Sequence, residues 1–85
     1  MKLLFFHSRT CRTCRKQAEE FATHKPAVHV DDLDISGEGT PVLMRRYRVT
    51  DVPTSILVKD DGTTLARWVD FVESERINNK IKALD

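Results

Sequence analysis

Two cysteines, Cys11 and Cys14, are the residues of this 85-residue chain best suited to chemistry, and they stand three positions apart. If Cys11-Arg12-Thr13-Cys14 opens a helix, both sulfurs meet on its first turn. A helix N-terminus carries roughly half a positive charge and unsatisfied N–H groups, and both favour an anion. Arg9, Arg12, Arg15 and Lys16 add cationic field nearby. Together these should hold a thiol below the free value of about 8.5 and supply the thiolate that attacks in disulfide exchange. At the helix start, Cys11 is the expected exposed nucleophile. Cys14, on the inner stripe, is the expected resolving thiol.

Two other readings compete. A bridge closing so short a loop adds little chain-entropy stabilisation, so the pair is no structural staple. Cys11, Cys14, His24 and His29 have a spacing close to that of a two-cysteine, two-histidine zinc finger. The middle spacer is shorter than the usual ~12 residues, and Pro26 prevents both histidines from riding one helix. The expectation is no metal site. A redox pair is favoured because the motif follows a buried strand and opens a helix.

The elements that must position the pair follow from hydrophobic spacing. Leu3-Leu4-Phe5-Phe6 is a continuous apolar run, as in a strand covered on both faces. After Ser8-Arg9-Thr10, whose hydroxyls could cap a helix, Cys14, Ala18, Phe21 and Ala22 form one helical stripe that Pro26 ends. Ala27–Leu33 alternates as a strand, with Val28 and Val30 on one face. Ser36–Gly39 is a loop; Thr40 is the expected N-cap and Pro41 the first helical residue, with Leu43, Met44 and Tyr47 facing inward. Ile56-Leu57-Val58 is a buried strand. Asp60-Asp61-Gly62 is a hairpin signal, and Thr63–Val69 pairs back. Ser74 or Glu73 starts a last helix with Ile77, Ile81 and Leu84 on one side. The order β-α-β-α-β-β-α implies an α/β fold with a right-handed crossover: one domain spanning residues 1–85, a four-stranded mixed sheet with helices on both faces.

Composition excludes several classes. Lys+Arg number 14 and Asp+Glu 13, a net charge of +1, which argues against a nucleic-acid coat. No run approaches the ~18–20 apolar residues of a membrane span, and the apolar start is too short for a signal-peptide core. The expected compartment is therefore the cytoplasm, where thiols are mostly reduced.

The chain resembles the thioredoxin superfamily. The resemblance rests on the Leu3–Phe6 strand feeding Cys11-Arg12-Thr13-Cys14, on Tyr47-x-Val49-x-x-Val52-Pro53-Thr54 before Ser55-Ile56-Leu57-Val58, and on the Asp-Asp-Gly hairpin. It implies a thioredoxin-like fold and a cis Val52–Pro53 bond. It also implies a groove in which Arg12, Thr13, Val52, Pro53 and Asp70 meet an extended substrate segment. The implied activity is reduction of protein disulfides, with the Cys11–Cys14 pair as sole redox group and no separate cofactor; the alternatives are a glutathione-dependent, glutaredoxin-like reductase and a thioredoxin-fold binding module without a catalytic redox role. The implied partners are a disulfide-containing protein and an electron donor, either a thioredoxin-reductase-like protein or glutathione, with the chain acting as a monomer.

Departures from the family bear on these expectations. The longer N-terminal strand and helix of thioredoxin proper are missing. The family's aromatic and proline around the cysteines read Thr10 and Thr13. Its buried acid is replaced by Phe5 and its companion lysine by Val30, which leaves His7 as a candidate proton source. Asp70 stands where thioredoxins carry glycine. The Gly-Gly pair of the glutaredoxin glutathione site reads Val69-Asp70-Phe71.

Overall fold

The computed structural model describes residues 1–84. Among them the chain forms β1 (Lys2–His7), α1 (Arg12–Thr23), β2 (His29–Asp34), α2 (Thr40–Arg46), β3 (Thr54–Val58), β4 (Thr64–Val69) and α3 (Ser74–Leu84). The sheet order is β2-β1-β3-β4. β1 pairs in parallel with β2, Leu3 opposite Val30, and antiparallel with β3, Phe6 opposite Thr54. β3 and β4 are antiparallel, with a register shift at Leu57/Val58. The thioredoxin-like architecture and the α/β, four-stranded mixed sheet expected from the sequence are present.

The period-two geometry of a strand explains how one apolar run builds two cores. Leu3 and Phe5 point to one face and pack with Phe21 of α1, Leu57, Val72 and Ile77 of α3. Leu4 and Phe6 point to the other and pack with Ile56, Val58 and Val49, flanked by Leu43, Met44 and Tyr47. β1 and β3 are the central strands, which is why both are buried on both sides. No helix among the described residues is long and apolar enough to cross a membrane.

Three local expectations need correction. β2 runs His29–Asp34 rather than Ala27–Leu33, because its register is set by pairing with all six residues of β1. The cap of α2 is Gly39, at φ 82°, without a side-chain cap bond; Thr40 is buried as the first helical residue. Glycine enters that left-handed conformation at little steric cost, which lets the tight Asp34–Gly37 turn feed the helix directly. In α1 the residues buried are Cys14, Gln17 and Phe21, whereas Ala18 and Ala22 are exposed. The two alanines line an open groove with Phe5, Val28 and Val30 instead of packing under the helix.

Candidate functional site

β1 ends at His7, and the chain turns sharply: the Cys11 N–H donates to the Ser8 carbonyl at 3.3 Å. Cys11 is the N-cap of α1, with extended backbone (φ −91°, ψ 113°). Its sulfur takes the place of a capping oxygen and accepts the Cys14 N–H at 3.1 Å. The hydroxyls of Ser8 and Thr10, expected as alternative caps, instead lie 3.2 Å from each other. The geometry of one helical turn puts the two Cα atoms 5.2 Å apart and the sulfurs at disulfide distance. Cys14 is 2% exposed, while Cys11 is half-buried at the rim.

The loop ahead of β3 closes the other side. The Val52–Pro53 peptide bond is cis. The Val52 carbonyl oxygen lies 3.8 Å from Cys11 Sγ. Pro53 is buried, and its carbonyl accepts the Asp70 N–H at 2.8 Å. Asp70 takes a left-handed backbone, φ 75°, and its Oδ1 accepts the Phe71 N–H at 2.8 Å. Thus Cys11, Cys14, Val52, Pro53 and Asp70 form one connected line of contacts. Arg12 is exposed and Thr13 half-buried on the first turn of α1.

The charges around this line are partly committed. Arg9 Nε donates to Asp34 Oδ2 at 3.1 Å. Asp34 also accepts the backbone N–H and the hydroxyl of Ser36, and these bonds, ahead of Arg9, hold its carboxyl below the usual range. His7 Nε2 is engaged with the Asp32 carboxylate on β2, and the imidazole packs 4.9 Å from the Phe5 ring. Phe5 is buried and meets Phe21 edge-on at 5.2 Å. Trp68 packs against the Leu3–Phe5 core from β4. His24 contacts Glu20, and His29 contacts Asp31, so the two histidines are held at separate places. Among the described residues no group of three or more His, Cys, Asp or Glu side chains is placed to hold a metal ion.

Sequence reasoning missed Gln17. Its side chain is fully buried and clamps the backbone of Val72: Nε2 donates to the Val72 carbonyl and Oε1 accepts the Val72 N–H, both at 2.8 Å. One turn further along, Glu20 Oε2 accepts the Ser74 N–H at 2.9 Å, at the start of α3. The cysteine helix therefore grips the segment that follows Asp70. The signal was available: Gln17 lies three residues from Cys14, on the same helical face, where an amide invites a question about its partner.

Comparison with known proteins agrees with this geometry. The family model for the thioredoxin-like domain matches residues 1–85. A solved structure of thioredoxin-2, described as a component of the malaria parasite's protein secretion machinery, superposes with a TM-score of 0.78 at 27% identity. That alignment covers 96% of this chain and 81% of the other. Thioredoxin 1 of Thermosipho africanus superposes at 0.72 with 18% identity, covering 99% and 93%. A mutant thioredoxin of Halobacterium salinarum superposes at 0.80 with 21% identity, covering 96% and 72%. At those lower identities the likeness is one of fold. A search of curated protein sequences gives no significant match.

Proposed function

The chain belongs to the thioredoxin-like domain family, and from that membership and the paired sulfurs of Cys11 and Cys14 we propose that it is a thiol–disulfide oxidoreductase that reduces protein disulfides. The observation that carries the reading is the asymmetry of the pair: Cys14 is buried while Cys11 stands at the rim beside the Val52 carbonyl.

The reaction starts from the dithiol. The Cys11 thiolate attacks one sulfur of the substrate disulfide, and the other leaves as a thiolate that takes a proton. Cys14, as thiolate, then attacks Cys11 Sγ and expels the second substrate sulfur. Two electrons have passed to the substrate, and the Cys11–Cys14 disulfide remains. A helix N-terminus with a nearby Arg12 stabilises the Cys11 thiolate in the attacking state. Arg12, Thr13, Val52, Pro53 and Asp70 line the approach, and the half-buried Val52 backbone beside Pro53 would pair with an extended segment. Residues 1–85 act as a single domain and a monomer, in the reducing cytoplasm, without metal or organic cofactor. A reductase protein or glutathione returns the dithiol.

Insulin-disulfide reduction, run in parallel with a thioredoxin reductase and with glutathione, tests the proposal and identifies the donor. Cys11→Ser should abolish turnover. Cys14→Ser should keep the first attack and accumulate mixed disulfide, read by non-reducing mass spectrometry. Full activity in Cys11→Ser, or no reduction by the native protein with either donor, would sink the reading.

A further inference from the structure

At the end of the sheet that carries Cys11, the strand ends fall in the order β2, β1, β3, β4. β2 ends at Asp34, β1 leads to Cys11, β3 begins behind Pro53, and β4 ends at Val69 just before Asp70. Adjacent strands lie about 4.8 Å apart, so Asp70 stands one strand beyond Pro53, on the side away from Arg9. Arg9 is paired with Asp34, and the exposed Arg12 adjoins Cys11. The rim thus runs from a cation beside Cys11 to a carboxylate beside β4.

That carboxylate is held in place with no cation against it among the described residues. The Asp70 N–H is bound to Pro53, Oδ1 takes the Phe71 N–H, and Asp70 enters no ion pair among the described residues. The next residues are gripped by Gln17 and Glu20. Asp70 is flanked by two exposed apolar residues, Val69 at 55% and Phe71 at 42%. Its φ of 75° is one that glycine would adopt more comfortably. An aspartate at positive φ on this rim motivates a role for its side chain. A carboxylate beside the exposed Val69 suits one kind of side chain: an apolar stem ending in a cation.

We propose that Asp70 is a specificity residue, selecting disulfides whose flanking residue on the β4 side is lysine or arginine. The proposal deepens the oxidoreductase reading and rests on it. The stem of the basic residue lies along the exposed Val69 while its head meets the Asp70 carboxylate; the exchange chemistry at Cys11 is unchanged.

The test uses two disulfide peptides of identical composition and opposite charge order, lysine before and glutamate after the attacked cysteine or the reverse, and a neutral third. The native protein should prefer one order by roughly 2–5-fold in kcat/KM, as expected of an exposed charge pair. Asp70→Asn keeps a residue that tolerates the left-handed backbone and removes only the charge. It should move the ratio toward one, each charged peptide being read against the neutral peptide in the same variant. Asp70→Lys should invert the preference. Salt near 1 M, where the screening length is about 3 Å, should erase it in the native protein. Equal rates on the two orders, or a preference that survives undiminished in Asp70→Asn, would overturn the role of Asp70 alone. Failure of the native protein to reduce any of the three peptides would overturn the oxidoreductase reading as well.

Discussion

A sulfur does at Cys11 what a serine or aspartate oxygen does at other helix starts: it accepts an N–H that the helix leaves unpaired. Capping and reactivity therefore share one atom, and substitution can separate them. Under reducing conditions Cys11→Ser retains an acceptor and should unfold at the same denaturant concentration as the native dithiol, although its reductase activity is lost. Cys11→Ala removes the acceptor and should cost about 1 kcal/mol more, measured by urea unfolding. A serine variant destabilised as much as the alanine one would show that the sulfur contributes nothing as a cap. Asp70 presents the reverse case, a residue whose backbone geometry works against it. Asp70→Gly should raise stability by up to about 1 kcal/mol, since glycine reaches positive φ without steric cost. A loss of stability in that variant would mean that the Oδ1–Phe71 bond outweighs the strain.

The elements were readable wherever a period was unbroken. Leu3–Phe6, the Ile56–Val58 run and the Asp60-Asp61-Gly62 turn declared themselves because burial on both faces and a positive φ at Gly62 leave few alternatives. The inner stripe of α1 was misread because alanine is apolar but small. Hydrophobicity alone placed Ala18 and Ala22 inward, whereas the helix turns Gln17 inward to bind Val72. Long-range partners of polar residues cannot be seen in spacing, so the grip of α1 on residues 72–74 was invisible until the fold brought them together. Spacing and context single out Cys11 and Cys14, and the resemblance singles out Asp70. The Gln17 clamp should be strong. Gln17→Leu preserves volume but strands the buried Val72 N–H and carbonyl, each costing about 1–3 kcal/mol when unpaired. Equilibrium unfolding of that variant should lose several kcal/mol, and a loss below about 0.5 kcal/mol would show that water or a shifted backbone replaces the amide. The β2–α2 turn has its own signature in acid. Ser36 and Arg9 hold the Asp34 carboxyl below its usual range, so its contribution is present above that range and lost as pH falls through the folded value. The urea midpoint should fall on acidification below about pH 4, and Asp34→Asn should flatten that fall. An unchanged acid limb in the variant would place the effect elsewhere.

A chain of 85 residues has little stability in reserve, on the order of 5–10 kcal/mol. Each face of the sheet depends on a few side chains of β1. Phe6, fully buried in the core beneath α2, should cost about 3–5 kcal/mol as Phe6→Ala, about a third or more of that reserve. Circular dichroism melting would register it, and a midpoint within a few degrees of the native one would refute the account of the core. The sheet also has an open side. Among the described residues β2 pairs only with β1, and its outer edge presents backbone groups that a second strand could join. Three of its six residues are aspartates: Asp31, Asp32 and Asp34. If two copies approached antiparallel along this edge, any register overlapping mid-strand would set carboxylate against carboxylate. Ionised carboxylates would oppose such a pairing, so crowding and acid are expected to act together to cluster the molecule where neither does so alone.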